Sequence, residues 1–186
     1  MGRDGSGNAW KTRQAKKKGG MWGIPRDFTP RKLIGEPQFT FKELFITPFT
    51  KKRRYSEDGV VSYVPLERNL EPTGIRIFDA YLQYLAGGGS DLQAFADRYG
   101  LRREDIDSLV FVLTGMRGVD FRLRYQRWTA WHLLLYTDMP IVEVAKRSGI
   151  GSANNLYLTF KRDYNLAPGY YRIQNRKKGD VGRYKL

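Results

Sequence analysis

The sequence predicts an all-α fold, in which two helix-turn-helix units are joined by a long linker helix and preceded by a basic, mostly irregular N-terminal arm. Three observations predict it. From Ile75 onward, apolar residues recur at three- and four-residue spacing through stretch after stretch. Helix punctuation separates these stretches at Gly87-Gly88-Gly89, Gly100, Gly115, Pro140, Gly149 and Pro168. Two of the stretches then repeat one plan, a short helix, a glycine turn and a second helix.

Taken in order, residues 1–35 hold glycines, lysines, Trp10 and Trp22 without a sustained helical or strand period. They read as an arm that is disordered alone or ordered on a partner. Residues 38–48 and 59–64 have strand-like composition. Between them lies a basic, turn-forming stretch ending in Ser56-Glu57-Asp58-Gly59, which leaves room for a long-looped hairpin at 38–64. After Pro72 the character becomes helical. A helix over 75–86 has Ile75, Phe78, Tyr81, Leu82 and Leu85 on one face. The next, 91–99, is capped by Ser90 or Asp91 and turns Leu92, Phe95 and Ala96 inward. A third, 102–114, offers Ile106, Leu109, Val110 and Leu113 to the core.

The linker helix spans 119–136, with Trp128, Trp131, Leu134 and Leu135 supplying much of its apolar side. Pro140 suits the first turn of a helix over 140–148, since its missing N–H costs nothing there; Ile141, Val144 and Ala145 face inward. Ser152 caps the following helix, which runs to Tyr164, and Asn165 suits a left-handed C-cap. Pro168 opens a last short helix through 174. The expected organisation is an arm over 1–70, a helical domain over 71–175 and a basic tail over 176–186.

Charge narrows the function. The 186 residues carry 33 Lys+Arg against 19 Asp+Glu, a net charge of +14. Residues 1–70 hold 15 basic and 7 acidic side chains, residues 71–140 hold 8 and 9, and residues 141–186 hold 10 and 3. Basic charge thus collects at the two ends, as in proteins that neutralise phosphates and release counterions. Solubility, or attraction to an anionic membrane face, would use the same charge. Lys16-Lys17-Lys18 and Lys51-Lys52-Arg53-Arg54 are the candidate phosphate contacts near the N-terminus. No apolar run approaches the roughly 18 residues of a membrane span, and no hydrophobic leader core is present, so a soluble, intracellular, polyanion-binding protein is expected.

Chemistry is sparsely represented. The chain has no cysteine, which excludes disulfides, thiolate catalysis and cysteine-ligated metal. Its one histidine, His132, lies in the linker helix and reads as a helix residue rather than a general base. No nucleophile–base pair or metal-ligand cluster can be assembled, so no enzyme activity, cofactor or metal is expected. Gly87-Gly88-Gly89-Ser90 lacks the lysine and spacing of a phosphate loop and reads as a linker.

The repeated plan runs from Leu92 through Gly100 to Leu109, and again from Ile141 through Gly149 to Phe160, with a small residue (Ala96, Ala145) four positions before each glycine. The small residue lets paired helices approach, and the glycine aims the second helix outward, the geometry by which a helix enters a major groove. Within the second copy, Ile141-x-x-Val144-Ala145-x-x-x-Gly149-Ile150, then Asn155-Leu156-x-x-x-Phe160-Lys161-Arg162-x-x-Asn165-Leu166-x-Pro168-x-x-Tyr171-Arg172, resembles the AraC/XylS type of DNA-binding domain. Gly100 and Gly149 stand 49 residues apart, close to the family's spacing, and Ala130 and Leu133-Leu134 fall where its linker helix carries them. The resemblance covers residues 73–175.

The resemblance implies a transcriptional regulator that binds double-stranded DNA, cytoplasmic and nucleoid-associated in a bacterial-type cell. An arm of 70 residues of this composition is too short for the barrel-like effector-sensing domain often found beside it, so none is expected. Ser152, Ala153, Asn154, Tyr157 and Leu158 match positions that face the groove; asparagine can bond adenine in bidentate fashion and small or apolar groups can meet a thymine methyl. Asn155, Lys146, Arg147, Lys161, Arg162, Arg102 and Arg103 are the corresponding backbone-contact candidates, with Lys161 equally suited to bracing the fold. Leu156 and Phe160 read as core. Ile150 and Leu101 stand where the family usually has Phe or Tyr, and Asn165 replaces its closing glycine. In the first copy Glu104, Asp105 and Asp107 lie where DNA contacts are expected, so that unit reads as a packing or protein-contact surface. The rival reading is a structural or interaction protein that uses the helix-turn-helix fold to contact the transcription or translation machinery, such as RNA polymerase, and the basic arm to bind nucleic acid non-specifically. Two units in one chain allow binding as a monomer.

Overall fold

Thr40 and Glu43 decide the first element. The Thr40 N–H and hydroxyl both donate to Glu43 Oε2 at 2.7 Å, which fixes the start of one turn of helix, α1 (Phe41–Leu44). The strand-like composition of residues 38–48 predicted a strand here, and the local cap overrides it. The computed structural model describes residues 36–186, with eight α-helices and one three-stranded antiparallel sheet. Lys16, Lys17 and Lys18 lie outside the described residues.

The all-α expectation is corrected by that sheet. The basic stretch expected as a turn is itself strand β1 (Lys51–Tyr55), paired antiparallel with β2 (Val61–Pro65) so that Arg53 lies opposite Tyr63. The hairpin is therefore tight, with its turn at Ser56–Gly59, where the Gly59 N–H donates to Ser56 O at 3.0 Å. A third strand, β3 (Tyr184–Lys185), comes from the basic tail and pairs with β1, placing Lys51 opposite Lys185.

Seven further helices follow the predicted order: α2 (Arg76–Ala86), α3 (Leu92–Arg98), α4 (Arg103–Thr114), α5 (Gly118–Tyr136), α6 (Ile141–Arg147), α7 (Ala153–Tyr164) and α8 (Pro168–Asn175). Asp91 caps α3 by accepting from the Ala94 N–H, Ser152 caps α7 by accepting from the Asn155 N–H, and Asn165 takes the left-handed C-cap with φ 55°. Pro140 is the N-cap of α6 rather than its first residue.

The long helix α5 serves two hydrophobic cores. Its first half gives Phe121 and Tyr125 to a core shared with α1 to α4, including Phe41, Phe78, Phe95, Ile106 and Val110. Its second half gives Ala130, Leu133, Leu134 and Leu135 to a core with Val144, Ala145, Leu156, Phe160 and Tyr171. Residues expected in the arm are integral to both. Phe41, Leu44, Phe45 and Ile46 lie in the first core and Phe49 in the second. The Tyr125 hydroxyl accepts from the Ile46 N–H at 3.1 Å, tying this segment to α5.

The C-terminal end of α5 explains two of the basic residues. Its last carbonyls have no partner within the helix, and two arginines satisfy them. Arg172 donates to Leu134 O at 3.2 Å and to Met139 O at 2.5 Å, while Arg176 donates to Leu135 O, Leu134 O and Thr137 O and pairs with Asp138. Cations at this end also complement the helix dipole. Arg176, expected in a free tail, is thus a structural side chain.

Gly87-Gly88-Gly89, expected as a linker, is a packed junction. Gly88 adopts φ +85°, and a Cβ there would stand 2.9 Å from Arg147 O. Gly149 adopts φ +77°, and its Cβ would stand 2.9 Å from Gly88 O; the buried Gln126 side chain donates to Gly149 O at 2.9 Å. The turn before α3 therefore sits directly on the turn between α6 and α7. Gly149→Ala is expected to cost at least about 2 kcal/mol, from left-handed strain plus backbone crowding. Gly100→Ala has the same strain (φ +65°) but meets nothing within 4 Å, so thermal melts of the two variants should differ by the crowding alone.

His132 lies half-buried among aromatic rings, with centroids 5.1 Å from Trp131, 5.3 Å from Phe45 and 6.3 Å from Phe49. Burial lowers its pKa to about 4, below the roughly 6.5 of an exposed imidazole. Between these values the unfolded chain binds the extra proton, so this contribution is complete above pH 6.5 or so and is lost as pH falls toward 4. Melting temperature should fall over that window, and His132→Phe should fall by less.

Candidate nucleic-acid interface

The α6–turn–α7 segment is built around small and apolar residues. Val144 and Ala145 are fully buried, and Ala145 leaves room for the turn that follows. That turn is held by the Ser148 hydroxyl and the Gly151 N–H, which both donate to Ala145 O, at 3.2 and 2.9 Å. On α7, Leu156 and Phe160 are buried at 0% and 1% exposure, and Phe160 packs 5.2 Å from the Tyr171 ring. The Tyr171 hydroxyl accepts from Trp131 Nε1 at 2.8 Å, so α8 and α5 clamp the inward face of α7.

The opposite face of α7 is open. Asn154, Tyr157, Leu158 and Lys161 are all exposed and follow i, i+3, i+4, i+7 spacing, which lines them along one stripe. Tyr157 is 42% and Leu158 56% exposed, large apolar surface left in water. Asn154 has no hydrogen-bond partner among the described residues, whereas Asn155 turns its amide back toward Ile150 O at 3.4 Å. Ser152 is exposed with its oxygen engaged in the helix cap, and Ala153 is half-buried.

The candidate phosphate-binding cations divide by their partners. Lys161 donates to Asn165 O at 3.2 Å and so braces the C-cap. Arg162 pairs with Asp163 at 2.8 Å, and Asp163 also takes Arg127 of α5 at 3.1 Å. Burial raises the Asp163 pKa, but the hydrogen bonds from Arg162 and Arg127 outweigh it and hold the carboxyl below its usual value. Arg147 pairs with Glu143 one turn back at 2.7 Å. Lys146 is exposed and, among the described residues, enters no ion pair.

In the first unit the corresponding cations are neutralised within their own helix. Arg102 pairs with Asp105 at 2.8 Å, and its hydrogen bonds hold the Asp105 carboxyl below its ordinary value. Arg103 reaches Asp107 at 3.8 Å. Asp107 itself is partly buried: its Oδ1 is enclosed beside Gly118 without a hydrogen-bond partner among the described residues, and burial pushes its pKa up. Glu104 is exposed. Lys51, Lys52 and Arg54 are exposed on the hairpin, while Arg53 is half-buried and bonds to Gly179 O at 2.6 Å.

Two features escaped sequence reasoning: Arg172 and Arg176 as caps on α5, and the docking of the tail as a strand. The Pro168-x-x-Tyr171-Arg172 motif contains Arg172, but only the position of the α5 carboxyl end shows what it does. Among the described residues no helix is long and apolar enough to cross a membrane.

No protein-family model and no curated protein matches the chain. Among solved structures, it is similar to the C-terminal domain of AraT, a response regulator from Geobacillus stearothermophilus, at 20% identity over 59% of this chain and 91% of that one, with a TM-score of 0.49. It is similar to the DNA-binding domain of AdpA, a global transcriptional factor solved with a target DNA, at 26% identity over 53% and 88% of the two chains (TM-score 0.45). A transcriptional regulator from Chromobacterium violaceum, described as containing an AraC-type DNA-binding domain, matches at 20% identity over 54% and 89% (TM-score 0.42). Of these three, the AdpA domain and the Chromobacterium violaceum regulator are the ones described by a DNA-binding domain, and each match covers a little more than half of this chain.

Proposed function

We propose that the chain is a sequence-specific, double-stranded-DNA-binding transcription regulator of AraC type, in which α3–α4 and α6–α7 are helix-turn-helix units linked by α5 and α7 is the main reader of the major groove. The observation that carries this is the contrast between the two faces of α7. One buries Leu156 and Phe160, while the other presents Asn154, Tyr157 and Leu158 in a row, exposed and without side-chain hydrogen bonds among the described residues. Exposed apolar groups on a rigid helix, beside an unpaired amide, are chemically suited to thymine methyls and adenine edges. Lys146 and the positive end of the helix dipole at the α7 N-terminus supply phosphate contacts.

The proposed division of labour between the units rests on α4, whose Arg102 and Arg103 are tied to carboxylates of their own helix. Exposed Glu104 and Val112, the latter 54% exposed, favour a protein partner for that surface, such as the transcription machinery. Selection of bound fragments from a random duplex pool near physiological salt tests the reading. An enriched motif supports it. Duplex binding without any motif would leave a general nucleic-acid or protein-contact role for the same fold.

A further inference from the structure

We infer that the three-stranded sheet formed by the hairpin and the C-terminal tail is a second contact surface for duplex DNA, engaging phosphates through Lys51, Lys178 and Lys185. The inference rests on the DNA-binding reading above and adds a separate surface to it. Residues opposite each other in the ladder share a face. Lys51, Arg53 and Tyr55 of β1 therefore lie with Tyr63 of β2 and Lys185 of β3 on one face, and Lys52 lies with Tyr184 on the other. Tyr184 stacks 5.1 Å from Phe49 and meets Tyr136 at 4.9 Å, so its face is the one turned to the helices. The Lys51 face is turned outward, and Lys178 lines a surface recess together with Arg53 and Tyr55 of that face and with Asp180.

That outward face is positive and uncompensated. Lys51 and Lys185 stand directly opposite each other, a like-charge pairing that weakens a sheet. Among the described residues no ion pair engages Lys51, Lys178 or Lys185. The carboxylate beside them, Asp180, is 9% exposed and already accepts from the Lys177 N–H at 2.9 Å, with Arg183 at 3.8 Å. Repulsion of this kind is relieved by an external anion.

The platform is also rigid. Arg53 donates to Gly179 O at 2.6 Å and Val181 O at 3.3 Å, and the Tyr63 hydroxyl donates to Gly182 O at 2.6 Å, so the tail is fastened to the hairpin at three points. The aromatic rings here are occupied by cations: Arg53 lies 5.2 Å over Tyr55 and Lys185 Nζ lies 4.8 Å over Tyr63. Covered rings are poor stacking platforms for single-stranded bases, which leaves phosphate as the group this face suits and duplex DNA as its source.

The test uses the full chain with Lys51→Gln, Lys178→Gln and Lys185→Gln combined, against a control with Lys42→Gln, Arg76→Gln and Arg98→Gln, which removes the same charge elsewhere. All six side chains are exposed, and far-UV circular dichroism checks that each variant is folded. Affinity for a labelled duplex is measured by fluorescence anisotropy between about 50 and 200 mM salt. The sheet variant should flatten the salt dependence by about 2–3 in slope, with the control changing it by less than about 1. An unchanged slope in the sheet variant, or an equal change in the control, overturns the inference. Loss of binding to a single-stranded RNA probe with duplex binding intact also overturns it and assigns the surface to RNA. Failure of the unaltered protein to bind duplex at all overturns the DNA-binding reading itself.

Discussion

Replacing Phe41 with alanine is expected to destabilise the protein by about 3–5 kcal/mol, the usual cost of emptying a buried phenylalanine site. The ring is 5% exposed and stands at the meeting point of α1 with α5. Its centroid lies 5.0 Å from Trp128, 5.6 Å from Phe121, 5.9 Å from Phe45 and 6.2 Å from Tyr125, most of these edge-on. The Arg124 guanidinium lies 4.6 Å above it. Edge-on pairs and a cation on the ring face each add to simple burial, so the cavity cannot be filled by a small adjustment of one neighbour. Thermal melting should fall by roughly 10 °C, whereas Tyr55→Ala, on the exposed hairpin, should change it little. A small effect of Phe41→Ala would mean that residues 36–50 can leave the helices without loss. The same packing predicts that a chain starting near Glu71 would be poorly stable, having lost five buried aromatic and aliphatic side chains, Phe41, Leu44, Phe45, Ile46 and Phe49.

For Asn154→Ala the expected result is a loss of about 1–3 kcal/mol at the selected DNA site, roughly 10- to 100-fold in affinity, with almost no change on an unrelated duplex. The side chain is exposed on α7 and makes no hydrogen bond among the described residues, so its removal leaves the fold alone. An amide that reads adenine is lost only where adenine is read. A phosphate contact would instead be lost on every sequence, since the backbone carries no sequence information. Competition binding with the selected and unrelated duplexes separates the two, and equal loss on both would remove Asn154 from the reading face. Asn155→Ala is a useful companion, because its amide faces Ile150 O and its loss should loosen the turn rather than change sequence preference.

The candidate site was legible in the sequence where its determinants are local. Ser152 as N-cap and Leu156 and Phe160 as inward residues follow from cap chemistry and helical period within some twelve residues, while the family resemblance sets Asn154, Tyr157 and Leu158 outward, and they are exposed on α7. What the sequence could not show was which cations remain available. Lys161, Arg162, Arg102 and Arg172 look alike as basic residues, yet each is held by a nearby carbonyl or carboxylate. Charge counting assigns all of them to a polyanion; the folded chain keeps several for itself.

Local interactions thus determined the seven helices from Arg76 to Asn175, their caps and their inward faces, because each depends on residues three or four apart. The remaining features depended on partners far away along the chain. Lys51-Lys52-Arg53-Arg54 is a strand because Val61–Pro65 and Tyr184–Lys185 supply its ladder, the latter more than 130 residues on. Gly88 is a junction because Gly149 is brought against it, and Arg176 is a helix cap because α5 ends where it does. Periodicity records which side of an element is apolar. It carries no information about which distant backbone will complete its hydrogen bonds, and only the packed chain decides that.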